Sequence, residues 1–212
     1  MDTIATGFLQ YIERSNNWSM NIVVLNHVSL DGVMQGPGRP DEDTRGGFIH
    51  GGWAVANGDQ VMAEWIGPIG TGTGGAMLFG RRSYEGMLSS WNRKGGPFKD
   101  ALNAAHKYVA SSSASTKLEW PNSTLLHGDI PAAVEQLKRQ GDGQLLSMGS
   151  AVLIHSLLPH NLIDEYRLAI HPLLLGGGVH LFPDDDAFHR LTLVDSRAST
   201  TGVILATYRP AA

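Results

Sequence analysis

Apolar residues along the chain fall into short runs and into spacings of three and four, which predict strands that alternate with helices. The strongest run, Ile22–Val28, is apolar at every position as far as Leu25, as expected of a central strand buried on both faces. The predicted strands cover residues 22–28, 77–79, 108–113, 124–126, 144–148 and 165–171, with a hairpin at 188–197 and 202–208. The predicted helices cover residues 57–66, 83–91, 97–105, 129–140 and 151–158.

Residues 1–19 differ in character from the rest of the chain. Ile4, Phe8 and Ile12 are spaced as on a helix, so this segment is either a short docking helix or an untidy tail. The regular pattern begins directly after Met20. We therefore predict an N-terminal extension over residues 1–19 and a single domain over residues 20–212, which is an ordinary length for one domain.

A long polar loop lies between the first predicted strand and the first predicted helix. Residues 35–52 hold eight glycines and prolines, and loops of this length in compact domains are usually functional or mobile. Phe48 and Trp53 would be unusual in a purely solvated segment. They either line a planar ligand or fix the loop to the core, and the sequence leaves both interpretations open.

The stretch Met77–Met87 is typical of a buried strand, a glycine turn and the start of a helix. Gly80 permits the turn, and Ser83 is predicted as the N-cap of the helix. Arg81 and Arg82 lie beside the free N–H groups of that helix start, where guanidinium groups suit a phosphate. The alternative is a strand–helix turn with two solvated arginines.

Two further strands end in residues that suit phosphate. Ser111 and Ser112 follow the predicted strand that begins at residue 108, and Gly149, Ser150 and Ala151 form a second strand–glycine–helix junction. The coincidence of three such strand ends favours a nucleotide site. The glycine run at residues 70–75 is a different case, because it follows a helix and precedes a strand, which is the wrong context for a dinucleotide fingerprint.

Composition excludes several classes of function. The formal net charge of −4 disfavours a nucleic-acid-binding protein, and the absence of cysteine excludes disulfides, cysteine-ligated zinc and thiol catalysis. No segment approaches the ~20 apolar residues of a membrane span, and the N-terminus does not have the pattern of a signal peptide, so we expect a cytoplasmic protein. Asp184–Asp186 is typical of a solvated turn, and His155 and His160 lack a third ligand; we therefore predict no metal site.

Taken in order and spacing, several motifs resemble the dihydrofolate reductase-like superfamily, and most closely its bacterial branch that includes the reductase domain of riboflavin biosynthesis. The resemblance spans about residues 21–209. The matching motifs are Ser29–Gly32, Phe79–Glu85, Tyr108–Ser112, Met148–Ser150, Ile163–Glu165, and His171–Gly178 followed by Leu181 and Phe182.

The resemblance implies an α/β, three-layer fold with a mixed, mostly parallel sheet of about eight strands and helices on both faces. It implies NADPH as the cofactor. Ser150 departs from the second glycine of the family's pyrophosphate turn. The matching cofactor positions are Gly80, Arg81, Arg82 and Ser83 for the phosphates, Ser111 and Ser112 for the adenosine 2′-phosphate, Gly149, Ser150 and Ala151 for the pyrophosphate turn, and Val28, Asp31 and Gly32 for the border of the nicotinamide.

Hydride transfer from NADPH also requires a proton for the product, and a partly buried carboxylate with a raised pKa, or a bound water, can supply it. Asp59 is the first candidate, since it lies in the first turn of the predicted helix 57–66 and near the family's substrate-binding carboxylate. Its alternative role is a helix cap. Asp31, Glu64 and His50 are the further candidates.

The predicted function is that of an NADPH-dependent reductase of a planar, polar substrate: a pteridine, an aminopyrimidine such as a riboflavin-pathway intermediate, or a related imine or ketone. Trp53 and Asp59 are the predicted substrate contacts. The alternative is a non-catalytic nucleotide-binding protein on the same fold. The resemblance also implies a homodimer, and Leu173–Leu175 predict an apolar surface near the late strands.

Overall fold

The computed structural model describes residues 20–67 and 75–211, and eight strands within them form one mixed sheet. The strands are β1 (Asn21–Ser29), β2 (Ala76–Gly80), β3 (Lys107–Ala110), β4 (Ser123–Leu126), β5 (Gln144–Met148), β6 (Glu165–His171), β7 (Leu191–Ala198) and β8 (Ile204–Pro210). The helices are α1 (Gln60–Ile66), α2 (Arg81–Lys94), α3 (Pro97–Ala104), α4 (Ile130–Gln140) and α5 (Ala151–Leu157). Short 3-10 turns cover Arg45–Gly47, Val55–Asn57 and Leu158–His160.

The strand order is β4-β3-β2-β5-β1-β6-β8-β7. Neighbouring strands are parallel from β4 to β6, whereas β8 is antiparallel to both β6 and β7. This arrangement confirms the expected mixed, mostly parallel eight-stranded sheet. Strands β2, β3 and β4 follow one another toward one side of the sheet, and β5 then lies between β2 and β1. The carboxyl ends of β2, β5 and β1 therefore meet at one edge. Open α/β sheets bind their ligands at such a reversal of strand order.

Alternating side chains of β1 supply the cores on the two faces of the sheet. Ile22 and Val24 belong to the core that includes residues of α4 and α5, and Val23 and Leu25 belong to the core that includes residues of α2 and α3. A third cluster joins Met62 and Trp65 of α1 to apolar residues of β6 and β8. Helices therefore cover both faces, as expected.

Three predicted boundaries differ from the structure for local reasons. The helix α2 begins at Arg81 with Gly80 as its N-cap, so the prediction of Ser83 as the cap is wrong. The strand β3 ends at Ala110, because Ser111 and the residues after it bond to one another in a turn. The helix α1 begins only at Gln60, because a 3-10 turn over Val55–Asn57 precedes it.

The expectations for residues 1–19, and for all of the glycine run at 70–75 except Gly75, fall outside the described residues. Within the described residues, no helix is long and apolar enough to cross a membrane. The same residues hold no group of three His, Asp or Glu side chains that is arranged to bind a metal ion.

Lys107 is a charged side chain with no solvent exposure in the interior beside α3. Its ammonium donates to the carbonyl oxygens of Leu102 at 2.7 Å, Asn103 at 3.3 Å and Ala105 at 2.6 Å. The last carbonyls of a helix lack partners within it, and a cation suits that end of the helix dipole. Burial lowers the pKa of Lys107 to about 8, so the group is still mostly charged at neutral pH.

Replacing Lys107 by methionine tests this role, since Lys107→Met removes the ammonium donor from the carbonyl oxygens of Leu102 and Ala105, whereas that of Asn103 still accepts from Asn122 Nδ2. We expect the free energy of unfolding to fall by about 1–3 kcal/mol in urea denaturation at pH 7. Lys117 is exposed and provides the matched control, so Lys117→Met should leave the stability unchanged within about 0.5 kcal/mol. Equal losses in the two variants would contradict the assignment.

Candidate functional site

The two strand–helix junctions β2–α2 and β5–α5 are bonded directly to each other. The backbone N–H of Gly80 donates to Ser150 Oγ at 3.0 Å, and the backbone N–H of Ser150 donates to Ser83 Oγ at 2.8 Å. Ser150 Oγ in turn donates to the carbonyl oxygen of Met148 at 3.1 Å. Ser83, which the sequence predicts as a helix cap, and Ser150 therefore bond across the junction and fix the starts of α2 and α5 side by side.

Gly149 makes this close approach possible. It has φ of +64°, and a Cβ added there would lie 2.8 Å from Ser83 Oγ. Its N–H donates to Asn26 Oδ1 at 2.7 Å, and Asn26 Nδ2 donates to its carbonyl oxygen at 3.3 Å, which ties the turn to β1. Ser150 is also left-handed, with φ of +65°, a conformation that is strained for a residue with a side chain.

The first turn of α2 presents two exposed arginines at this edge. Arg81 and Arg82 are both exposed, and the Arg81 guanidinium donates to the two carboxylate oxygens of Glu85 at 3.0 Å each. This pair lies at the surface, where such bridges are weak and exchange readily with another anion. The N–H groups at the start of α2 and the two cations together suit a phosphate group.

The predicted serine pair after β3 is divided between the interior and the surface. Ser111 is buried, and its hydroxyl bonds Thr116 Oγ1 at 2.7 Å and accepts from the N–H of Ser113 at 3.2 Å. Ser112 is exposed. The structure therefore leaves the hydroxyl of Ser112 accessible from solvent and gives Ser111 a role in shaping the turn.

Asp31 anchors a glycine loop to the end of β1. Its carboxylate accepts from Ser29 Oγ at 2.5 Å and from the N–H groups of Leu175 at 3.1 Å and Gly176 at 2.7 Å. These bonds, and the Ser29 hydroxyl above all, lower the pKa of Asp31 to about 2. Asp31 therefore stays deprotonated at neutral pH. The side chain of Val28 is buried in the core.

Asp59 is the N-cap of α1. One carboxylate oxygen accepts from the N–H of Met62 at 2.8 Å, and the other accepts from the N–H and the hydroxyl of Thr200, both at 2.6 Å. The Thr200 hydroxyl is the main reason that the pKa of Asp59 lies below its ordinary value. The expectation of a raised pKa at Asp59 or Asp31 is therefore wrong, since bonds to the charged form outweigh desolvation at both.

The remaining predicted proton donors and aromatic residues take different places. Glu64 is exposed and accepts from Gln60 Nε2 at 2.8 Å, and His50 is also exposed. Phe48 is buried against Gly178, where an added Cβ would lie 3.0 Å from its ring, so Phe48 fixes the loop to the molecule. An open cleft of about 610 Å³ lies between the loop at 45–50 and the glycine loop at 175–179.

A pair of histidines that the sequence pattern does not predict lies at the carboxyl ends of β1 and β6. His171 is fully buried, and its Nε2 lies 2.9 Å from Nδ1 of His27. Trp53 contacts the His171 ring edge-on at 5.1 Å between centroids and donates from Nε1 to the carbonyl oxygen of Gln35 at 2.7 Å. Desolvation lowers the pKa of each histidine to about 4. Both histidines are visible in the sequence, but their contact depends on β1 and β6 being neighbours.

Comparison with known families matches residues 21–205 to the RibD C-terminal domain. This chain belongs to the RibD C-terminal domain family. The resemblance to riboflavin-biosynthesis reductase domains is thereby confirmed. The matched residues include Gly80, Ser83, Gly149 and Ser150 of the junction described above.

Individual relatives agree with this assignment. The RibD-type chain is 28% identical over 201 residues to the uncharacterized protein YyaP of Bacillus subtilis (strain 168), which covers 92% of this chain and 97% of YyaP. A putative riboflavin biosynthesis protein from Shewanella sp. PV-4 has a TM-score of 0.60 at 22% identity, over 91% of this chain and 100% of that one. Dihydrofolate reductase from Enterococcus faecalis, in complex with NADP(H), has a TM-score of 0.54 at 14% identity, over 90% and 96%. The two structures establish the shared fold.

The histidine pair predicts how stability depends on pH. Because the folded pKa of about 4 lies below the unfolded value of 6.5, the unfolded chain binds more protons between these values, and stability falls as the pH drops through this window. The slope should approach about 1.4 kcal/mol per pH unit for each histidine. Asp31, with a folded pKa of about 2, acts only at lower pH.

Urea denaturation from pH 7 to pH 4 measures this slope. His171→Gln should flatten it, whereas the control His106→Gln, on an exposed side chain before β3, should keep it. An unchanged slope in His171→Gln would contradict the prediction.

Proposed function

We propose that this member of the RibD C-terminal domain family is an NADPH-dependent reductase that transfers a hydride to a planar, polar substrate. The observation that supports this most is the bonded junction of Gly80, Ser83, Gly149 and Ser150 at the reversal of strand order. The exposed first turn of the 14-residue helix α2, beside the left-handed turn at Gly149, suits a pyrophosphate. The fold shared with an NADP(H)-bound dihydrofolate reductase agrees with this assignment.

The exposed cations and hydroxyls at the same edge suit a phosphate on the adenosine ribose. We assign Arg81 and Arg82 to the cofactor's phosphates and Ser112 to the 2′-phosphate, with Ser111 shaping the turn that carries Ser112. When bound, the cofactor supplies the hydride. The residues of this chain hold and orient it, and exclude water from the edge of the sheet.

Carboxylates have a limited part in this proposal. Asp31 and Asp59 both have lowered pKa values, so neither holds a proton at neutral pH. Asp31 orders the loop after β1, and Asp59 begins α1. The proton for the reduced product then comes from water or from the substrate's surroundings, which is consistent with general acid catalysis by a bound water.

The preference for NADPH over NADH tests the proposal, with calorimetric titration of both cofactors as the measurement. Arg81→Ala removes a cation for which Glu85 and the 2′-phosphate compete, so NADPH binding should weaken by about 1–3 kcal/mol while NADH binding changes little. Arg93→Ala, at the other end of α2, is the matched control and should bind NADPH normally. Equal affinities for the two cofactors in the wild-type chain would contradict the assignment of these residues to NADPH.

The non-catalytic alternative is separated from the reductase by turnover. A panel of pteridines, aminopyrimidines and cyclic imines, followed at the nicotinamide absorbance, should contain a substrate that oxidises NADPH. Tight NADPH binding with no oxidation across the whole panel would instead favour a nucleotide-binding protein on the same fold.

We also propose that the chain forms a homodimer. Leu174 is 71% exposed, and the edge strand β7 exposes Leu193 and Val194 to about half of their area. Exposed apolar patches on a monomer often mark an interface, and two-fold dimers are the commonest assembly.

Light scattering at micromolar concentration should therefore give the mass of a dimer. Leu193→Ser combined with Val194→Ser should shift the distribution toward the monomer, because both side chains lie on the edge strand. Thr192→Ser, an exposed polar position on the same strand, is the control and should stay dimeric. A monomeric wild-type chain would contradict the proposal.

A further inference from the structure

A polar chain runs beneath the loop before α1 and ends at the half-buried His27. Asn57, in the 3-10 turn over Val55–Asn57, lies with Nδ2 at 3.3 Å from His171 Nδ1, and His171 Nε2 lies 2.9 Å from His27 Nδ1. None of these groups belongs to the bonded junction assigned to the cofactor. The chain thus joins a loop turn to β6 and β1 through three side chains.

Donor and acceptor rules give this chain a direction. An amide nitrogen only donates, so His171 Nδ1 accepts and the proton of the neutral ring is on Nε2. His171 Nε2 therefore donates to His27 Nδ1, and the proton of His27 is on Nε2. The desolvation that keeps both rings neutral at pH 7 supports this arrangement.

The side chains of Asn57, His171 and His27 are held by neighbouring groups, except at Nε2 of His27. Thr201 Oγ1 donates to the carbonyl oxygen of Asn57 at 2.7 Å, the His171 ring is fully buried, and Trp53 packs edge-on against it. His27 Nε2, by contrast, makes no hydrogen bond with any residue in the described part of the chain. A polar N–H in an otherwise paired network normally has a partner, so a ligand or solvent molecule must bond this atom.

The position of His27 relates this free donor to the cofactor edge. Its neighbour Asn26 bonds the N–H and the carbonyl oxygen of Gly149, so β1 passes beside the turn assigned to the pyrophosphate, although the His27 side chain projects from the opposite face of β1. In β1 it alternates with Leu25 and therefore shares a face with Met148, the register partner of Leu25. This face carries α1 and α2, and the first turn of α2 is the one assigned to the cofactor's phosphates.

We propose that Nε2–H of His27 is a substrate-binding donor that takes a carbonyl oxygen or an unprotonated ring nitrogen of a planar heterocycle. The assignment rests on the proposed reductase function for its placement beside a cofactor. A hydrogen bond to such an acceptor withdraws electron density from the adjacent carbon and favours hydride addition there. The first group of the series is the Asn57 amide, which does not release its protons. Asn57 and His171 are therefore positioning residues that orient His27, and they do not relay a proton.

Side-chain ¹⁵N resonances of the histidines in the full chain test this directly. In the free protein at pH 7, Nε2 of His27 should be protonated and Nδ1 unprotonated. Pterin and diaminouracil are the probes, each added with and without saturating NADPH. At least one probe should shift Nε2 of His27 and leave the resonances of His106 unchanged, whereas no shift with either probe overturns the assignment.

Two substitutions at His27 separate a donor from a merely structural ring. His27→Leu removes the donor and should weaken binding of the shifting probe about tenfold, whereas His27→Gln keeps an amide donor and should recover most of that loss. Asn57→Leu should weaken the probe less than His27→Leu, since it acts through His171. Equal losses in His27→Leu and His27→Gln would mean that the pair only stabilises the fold.

The NADPH titration in the same samples keeps the two proposals distinct. If NADPH does not bind but a probe shifts His27, the reductase function fails and the donor assignment stands. If NADPH binds and neither probe moves His27, the donor assignment fails and the reductase function stands. His106→Gln, in the turn before β3, is the control for non-specific effects of replacing a histidine.

Discussion

Ser150 bonds the two strand–helix junctions to each other, and the rest of the edge depends on that link. Its hydroxyl receives the N–H of Gly80 while its own N–H reaches Ser83, so α2 and α5 begin at a fixed separation. The left-handed backbone at Ser150 is the conformational cost of this arrangement. A glycine in place of Ser150 would relieve this strain. It would also remove the hydroxyl that accepts from the N–H of Gly80, so the serine makes the junction more rigid.

The same edge shows why a carboxylate in a predicted pocket need not be an acid. Asp31 and Asp59 each accept several N–H or O–H groups, and such bonds stabilise the charged form more than partial desolvation destabilises it. Their role is to hold loops: Asp31 ties the glycine loop after β6 to the end of β1, and Asp59 ties the β7–β8 turn to α1. The groups that remain neutral are the two histidines, because desolvation by burial lowers the pKa of each ring.

Local sequence signals placed most of the elements correctly and failed where side chains bond across the sheet. The apolar run at Gln144–Met148 and the alternation at Glu165–His171 became strands with the expected bounds. Ser83 is a residue type that favours the N-cap position, yet its hydroxyl accepts from the backbone N–H of Ser150, which is distant in sequence. The serines after Ala110 looked like a continuation of β3, yet they bond one another in a turn.

The sequence by itself determined the alternation of strands and helices, the glycine turn at Gly149, and the family, because these depend on local periodicity, backbone freedom and motif order; Gly80, by contrast, has an ordinary extended backbone. The tertiary structure alone decided which side chains meet. His27 and His171 are 144 residues apart and touch only because β6 pairs with β1. The pKa of Asp59 is lowered mainly because the turn at Thr200 folds back onto α1. Both outcomes depend on the order of the strands, which a one-dimensional pattern does not encode.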